Sequence, residues 1–358
     1  MARSTTSYRS KWKSGATTVI RVPTDLSPKI LEFARELDAK SKRDALHEPE
    51  IPYKTAADVN ASEPVNVASV PQRSPFRYPG GKTWLVPYIR SWLRSKEQRP
   101  SVLVEPFAGG AIVGLTAGFE ALVAHIVLVE NDPGVAAVWQ AIFGGQAHWL
   151  AESIERFDLT RQNVLRVLKQ EAASQRERAF ATILRNRVQR GGIMATGAGL
   201  VKNGENGRGL SSRWYPETLA RRIREISQVR DRFLFIEGDG IEIIRRYADV
   251  EDAVFFVDPP YTVAARRLYH RWQIHHRALF ELLSEIRGDV LLTYDNTREI
   301  VSLAREFGFE MEAIAMKNTH HAKMSELLIG RDLDWLKKAA NVHESRSRNS
   351  QETLAFHR

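Results

Sequence analysis

The apolar run Ala253-Val254-Phe255-Phe256-Val257 ends in Asp258-Pro259-Pro260-Tyr261. Two successive prolines have no backbone N–H and hold a rigid turn. The turn therefore presents a carboxylate, a peptide carbonyl and an aromatic face close together at the end of a predicted strand. That set suits an aromatic amine. Asp258 and the carbonyl of Pro259 can accept hydrogen bonds from an exocyclic NH2 group while Tyr261 stacks on the ring. The plainer alternative is a capping aspartate before a proline turn.

Two earlier strand ends also carry polar residues, and in open α/β sheets ligands bind beyond the carboxyl ends of the strands. Val102-Leu103-Val104-Glu105 continues into Pro106-Phe107-Ala108-Gly109-Gly110-Ala111, where paired glycines let the backbone pass close to a ligand just before a helix N-terminus. No Gly-Lys-Ser/Thr completes this loop, which argues against a nucleoside triphosphate site. Ile126-Val127-Leu128-Val129 ends in Glu130, 25 residues after Glu105. An acidic residue at about that distance grips ribose hydroxyls. Together the two ends suggest a nucleoside-containing cofactor without a strong phosphate demand. Taken singly, each is also compatible with an ordinary tight turn.

The elements that must position these residues are short apolar runs separated by helical stretches. Val102–Glu105, Ile126–Glu130, Phe233–Ile236, Ala253–Val257 and Val290–Tyr294 read as buried strands, and their alternation with helices predicts a doubly wound α/β sheet. Met311–Met316 and Met324–Ile329 surround a polar turn and predict a terminal antiparallel hairpin. Residues 145–232 break the alternation: helical over Leu159–Arg190, glycine-rich over Gly191–Gly209, then helical over Pro216–Arg230.

The first 73 residues have a different texture. A basic arm, a strand-like Thr17–Pro23 and an amphipathic helix from Asp25 to about Lys42 resemble the start of a ribbon-helix-helix unit. No second helix follows, so the segment reads as an accessory appendage and linker. The tail over 337–358 reads as disordered.

Composition narrows the chemistry. The 358 residues contain no cysteine, which excludes disulfides, thiolate metal sites and a cysteine nucleophile. No apolar run approaches the roughly 20 residues of a membrane span, and the N-terminus lacks an apolar signal core, so a cytoplasmic protein is expected. The net charge is +9, unevenly spread. Residues 176–232 carry 13 basic and 5 acidic side chains, whereas 74–175 and 233–329 together carry 21 and 25. A basic segment in an acidic body suits a polyanionic partner. His275-His276 and His320-His321 have no carboxylate at ligand spacing, so no metal is expected.

These motifs, in this order, resemble the Dam-type (α-group) N6-adenine-specific DNA methyltransferases. Arg77-Tyr78-Pro79-Gly80-Gly81-Lys82 looks like their N-terminal cofactor motif and Glu105-Pro106-Phe107-Ala108-Gly109-Gly110 like their glycine-rich motif. Glu130-Asn131-Asp132 looks like the ribose-binding position and Asp258-Pro259-Pro260-Tyr261 like the catalytic motif. Leu291–Asn296 resembles a later core strand. The likeness spans about 74–330. Ala111 departs from it, standing where the family often has a third glycine.

The resemblance implies a Rossmann-like class I methyltransferase sheet with an inserted, mainly helical recognition domain. The expected divisions are an appendage over 1–73, a catalytic domain over 74–145 and 233–336, and a target-recognition insertion over 146–232. It implies S-adenosylmethionine as cofactor, with Tyr78 and Lys82 at its methionine part, Phe107, Ala108 and Gly109 lining its pocket, Glu130 on the ribose and Asp239 near the adenine. Asp258 would serve both cofactor and target base. The expected partner is double-stranded DNA, contacted by Arg185, Arg187, Arg190, Lys202, Arg208, Arg213 and Trp214, with Arg221, Arg222 and Arg224 forming a basic stripe beyond them.

The target base must leave the duplex to be reached, and 266–272, after the catalytic motif, could hold the flipped nucleotide or buttress the fold. A cognate restriction endonuclease would accompany such an enzyme in a restriction-modification pair. A monomer is expected, or a dimer if the N-terminal unit is ribbon-helix-helix-like. Two competing readings are a DNA-binding regulator with a degenerate methylase body and an RNA adenine methyltransferase.

Overall fold

The computed structural model describes residues 70–77, 81–192, 194, 198–204, 207–260, 275–317 and 323–336. The strand and helix expected within the first 73 residues, Tyr78, Tyr261, the segment 266–272, His320, His321 and residues 337–358 lie outside the described residues.

Seven strands form one sheet: β1 (Val102–Glu105), β2 (His125–Glu130), β3 (Phe233–Glu237), β4 (Ala253–Val257), β5 (Asp289–Asp295), β6 (Glu310–Lys317) and β7 (Lys323–Gly330). Their order is β3-β2-β1-β4-β5-β7-β6. The first five run parallel, and β7 pairs antiparallel with both β5 and β6. This is a doubly wound, Rossmann-like α/β sheet with an antiparallel hairpin at its end. The five parallel strands and the terminal hairpin fall where the apolar runs place them.

The helices are α1 (Val86–Arg94), α2 (Ile112–Phe119), α3 (Pro133–Ala141), α4 (Ala147–Arg156), α5 (Arg161–Lys169), α6 (Gln175–Val188), α7 (Pro216–Gln228), α8 (Gly240–Tyr247), α9 (His276–Glu285) and α10 (Arg298–Glu306). Several starts follow from local chemistry. Asp132 caps α3 by accepting from the Gly134 and Val135 N–H groups at 2.8 and 3.0 Å, with Pro133 in the first turn. The helical stretch expected over Leu159–Arg190 comprises two helices, α5 and α6. Gln170 turns extended after α5, and Ser174 starts α6 afresh by accepting from the Glu177 N–H. Helix α4 was not anticipated from the sequence.

The sheet separates two cores. On one face Leu103, Leu128, Phe256 and Leu291 pack with Ile89, Trp92 and Leu115. On the other Val104, Val127, Phe255 and Leu292 pack with Ile244, Phe280 and Ile300. Leu150 and Ile154 of α4, Ile183 of α6, and Leu219 and Ile223 of α7 belong to the first core. The helices between β2 and β3 thus share the apolar interior of the sheet face they abut.

Close approach of α2 to β1 depends on Gly114, where an added Cβ would lie 2.6 Å from Glu105 Oε2 and 2.7 Å from Leu128 Cδ2. Gly114→Ala should therefore lower unfolding free energy by about 1–3 kcal/mol in urea titration, as overpacking does. An unchanged midpoint would show that the helix can shift freely.

Candidate active site

Side-chain alternation assembles the polar centre. Leu103 faces the α1 side of the sheet, so Glu105, two residues on, faces it too. The same reasoning places Thr293 and Asp295 with Leu291 on β5, and Glu326 with Leu328 on β7. Asp295 and Glu326 are direct cross-strand partners. Polar residues from three strands thus collect on one face near the end of β4.

Lys82 enters this group from above. It opens a short 3-10 turn, Lys82–Leu85, that leads into α1. Its ammonium lies 2.8 Å from Asp258 Oδ2 and 3.0 Å from Glu326 Oε1, with Lys82 and Glu326 almost wholly buried and Asp258 24% exposed. The Thr293 hydroxyl donates to Asp258 Oδ1 at 2.8 Å. One carboxylate oxygen is thus tied to an ammonium and the other to a hydroxyl, which fixes the Asp258 plane. Burial pulls the Lys82 ammonium down, but Asp258 and Glu326 outweigh it, so its pKa stands above the ordinary lysine value. Burial pushes the Glu326 carboxyl up to about 7 against the pull of Lys82.

Glu105 lies beneath this group and accepts from the Gly114 N–H at 2.8 Å. Burial pushes its carboxyl up to about 8, and the neighbouring Asp258 adds to the shift. Tyr294, on the opposite face, has its hydroxyl 3.0 Å from His276 Nδ1, and burial raises its pKa. His276 therefore has a structural partner, and His275 caps α9 by accepting from the Ala278 N–H. Among the described residues no group of three His, Asp or Glu side chains is placed to hold a metal ion.

Glu130 organises the glycine-rich loop. Its Oε2 accepts from the Gly109 N–H at 3.0 Å, and Oε1 accepts from the N–H groups of Asn131 and Asp132, each at 2.9 Å. Burial nevertheless raises its pKa to about 7. The Trp139 indole N–H donates to the Gly109 carbonyl at 2.9 Å, a support that the sequence reading missed. Ala108 donates to the Val129 carbonyl, and Gly109 and Ala111 both adopt left-handed backbone, φ +46° and +50°. Ala111 thus takes the conformation that glycine adopts without cost, and the loop forms despite the departure from the family pattern. Asp239 is exposed and caps α8 by accepting from the Ile241 N–H at 2.9 Å. Gly240 beside it fits against the loop, since an added Cβ would lie 2.1 Å from the Pro106 carbonyl oxygen. Phe107, Ala108, Gly109, Glu130 and Asp239 therefore gather at the carboxyl ends of β1, β2 and β3.

The segment leading to Lys82 is anchored by the basic segment between β2 and β3. Asn186, fully buried, accepts from the Arg77 N–H at 2.8 Å and donates to the carbonyls of Arg77 and Gly192 at 2.8 and 3.0 Å. Arg187, 5% exposed, donates to the Pro75 carbonyl. Burial and the nearby Arg222, Arg77 and Arg213 lower its pKa to about 9.

Arg187 is thus a buried tie and not the free nucleic-acid contact expected, because its side chain is used within the fold. Trp214 corrects a second expectation: it is 7% exposed and packs edge-on against Phe157 at 5.9 Å, so its face is not open to a base. In the stripe beyond, Arg224 pairs with Glu155 and Arg222 donates to the Ser74 carbonyl. Arg190, Lys202 and Arg208 are exposed, while Arg185 and Arg213 are half-buried. The antiparallel bridge between Gln189 and Leu200 closes the loop that carries Arg190.

Residues 78–133 match the model of the D12 class N6 adenine-specific DNA methyltransferases. No curated protein matches the chain. Among solved structures it is similar to the rRNA methyltransferase aviRa from Streptomyces viridochromogenes, at 13% identity and a TM-score of 0.35, over 79% of this chain and 96% of that one. It is also similar to a precorrin-6y C5,15-methyltransferase from Geobacter metallireducens GS-15, at 10% identity and a TM-score of 0.31, over 68% of this chain and 86% of that one. The matched segment contains Lys82, the glycine-rich loop and Glu130. Among the described residues, no helix is long and apolar enough to cross a membrane.

A carboxyl whose folded pKa lies above its unfolded value stabilises the fold while protonated, and this contribution is lost as pH rises through the folded value. Glu105→Gln keeps an acceptor for Gly114 and removes the titration. Between pH 5 and pH 8 the wild type should lose about 1–3 kcal/mol more stability than the variant in urea titrations. Parallel pH profiles would show that Glu105 is ionised throughout.

Proposed function

We propose that this protein is a site-specific DNA methyltransferase that moves a methyl group from S-adenosylmethionine to N6 of an adenine flipped out of duplex DNA. The observation that carries this reading is Asp258, fixed by Lys82 and Thr293 at the end of β4 and followed by Pro259-Pro260.

The donor set suits the cofactor. Asp258 and Asp239 are acceptors reached from the strand ends, Glu130 lies half-buried beside them, and the loop over 107–111 approaches without bulky side chains. Carboxylates suit a sulfonium cation and ribose hydroxyls. Glu130 holds its loop through three backbone N–H groups, and a carboxylate has lone pairs beyond those. S-adenosylmethionine supplies an electrophilic methyl on a sulfonium.

The adenine amine is a poor nucleophile because its lone pair is delocalised into the ring. Asp258 Oδ and the Pro259 carbonyl accept its two N–H bonds and turn the lone pair toward the cofactor side. Tyr261, next in sequence, stacks on the extruded ring. The contribution of the chain is positioning and electrostatics, with no covalent intermediate. The absence of cysteine excludes the thiolate attack that cytosine C5 methylation needs.

The insertion over 146–232 is read as the target-recognition element. Exposed Arg190, Lys202 and Arg208 lie around the loop after α6 and suit phosphate contacts, with half-buried Arg185 and Arg213 beside them.

Expression in a host without adenine methylation, followed by sequencing for N6-methyladenine, tests the reading; unmodified DNA alongside methylated RNA would overturn the choice of substrate. Asp258→Ala should lower methyl transfer at least about 100-fold while DNA affinity stays within about twofold. Retained transfer of tritiated methyl would refute the role of Asp258. Replacing Arg190, Lys202 and Arg208 together by Gln should flatten the log affinity–log salt slope by about 2–3. An unchanged slope would place the phosphate footprint elsewhere.

A further inference from the structure

Glu326 is the buried charge that this reaction leaves unused. It sits on β7, far from the glycine-rich loop and Asp258 in sequence, yet its carboxylate is 3.0 Å from the same ammonium that holds Asp258 at 2.8 Å. The groups facing it are Lys82 from the 3-10 turn, Asp258 from the end of β4 and Asp295, its cross-strand partner on β5. From β6 its partner is the uncharged Ile314. Asp258, Glu326 and Asp295 thus set three carboxylates about one ammonium, with Glu326 and Lys82 almost wholly buried and Asp258 24% exposed. Such a site favours gaining a proton.

Methylation of an amine generates that proton. When the nitrogen lone pair forms the new N–C bond, the C–S pair returns to sulfur and N6 becomes a cation with one hydrogen too many. An N–H bond must then break, its electrons remaining on nitrogen as the restored lone pair. Asp258 accepts this proton first, being the acceptor at the amine. An Asp258 that stayed protonated would lose its ion pair with Lys82, so the proton must move on.

We propose that Glu326, acting through Lys82, takes up the proton released from the target amine and restores Asp258 to its ionised form. The inference rests on the methyl-transfer reading given above. In one concerted step Lys82 gives a proton to Glu326 Oε1 and receives one from Asp258. The ammonium is unchanged, Asp258 is again a carboxylate, and Glu326 is a neutral acid. Its burial-raised affinity, with a pKa of about 7, matches a group that holds a proton during turnover and releases it afterwards. Glu326 is a positioning and proton-holding residue; it does not touch the substrate.

Two measurements on the full chain test this. The first is calorimetry of S-adenosylmethionine binding at pH 7 in buffers of different ionisation heat. A bound sulfonium beside Asp258 favours ionised Glu326, so the wild type should release about half a proton and Glu326→Gln much less. The second is single-turnover methylation of unmethylated plasmid DNA between pH 5.5 and 8.5. The wild-type rate should fall below pH 7, about tenfold per unit once Glu326 is protonated. Glu326→Gln should be at least about 30-fold slower, without that limb, and Glu326→Asp should restore most of the rate with an acidic limb displaced from that of the wild type.

Equal proton release in wild type and Glu326→Gln, or the same pH limb in both, overturns the proposal. Melting temperature identifies a misfolded Gln variant. In that case Glu326→Asp decides alone: a displaced acidic limb supports the relay and an identical one overturns it. A wild type that binds cofactor but methylates no DNA instead refutes the substrate reading, a failure that the calorimetry separates from that of Glu326.

Discussion

A lysine ammonium, nearly sealed from water between two carboxylates, is the constraint around which the active end of the sheet is built. Desolvating such an ion costs several kcal/mol, and the cost is offset only where the partners are close and well oriented. Lys82 meets that condition with Asp258 and Glu326, which come from different strands. The end of β4, the middle of β7 and the turn before α1 must therefore hold a common register. The antiparallel insertion of β7 between β5 and β6 is what brings Glu326 to Lys82. A hairpin at the far end of the chain thus helps to aim an aspartate at the end of β4.

The cofactor side of the site relies on a different economy. There a single carboxylate, Glu130, satisfies three backbone N–H groups and so draws the glycine-rich loop onto the end of β2. Trp139 closes the loop from behind through the Gly109 carbonyl. Rigidity here comes from hydrogen bonds to backbone, which side-chain identity within the loop does not disturb. That explains how the loop accommodates Ala111 in left-handed geometry, a conformation that costs an alanine about 1–2 kcal/mol. The surrounding bonds over-determine the backbone, and the strain is carried.

The parallel strands and the terminal hairpin were legible because continuous apolar β-rich runs have few alternatives in a chain of this size. The proline turn was legible because Asp258-Pro259-Pro260 has chemistry written into its residue types. Glu326 was missed, although an alternation signal was present: it shares a face with Leu328, and a charge at an inward strand position requires a partner. Asn186 was passed over and Arg187 misread for a similar reason. Their helix buries Ala179, Thr182, Ile183, Asn186 and Arg187 at helical spacing, a stripe that already turns both residues inward. Reading Arg187 as one more cation in a basic segment ignored that periodicity. The two-helix break at residues 170–174 was hidden because Ser174 is a local cap inside a region of uniformly good helix formers.

The charge of the basic segment therefore divides into two kinds. Residues 176–232 carry an excess of eight positive charges, but several of those cations are committed within the fold. Arg187 and Arg222 hold the carbonyls of Pro75 and Ser74, Arg224 pairs with Glu155, and Arg232 donates to the Gly118 carbonyl. The first two brace the strand of chain that delivers Lys82, so part of the basic segment serves the catalytic centre mechanically. Of the exposed cations, Arg190, Lys202 and Arg208 lie around the loop after α6, one short helical turn beyond Asn186 and Arg187. Asn186 and Arg187 thus tie that loop to the segment before Lys82 through covalent continuity and two buried side chains.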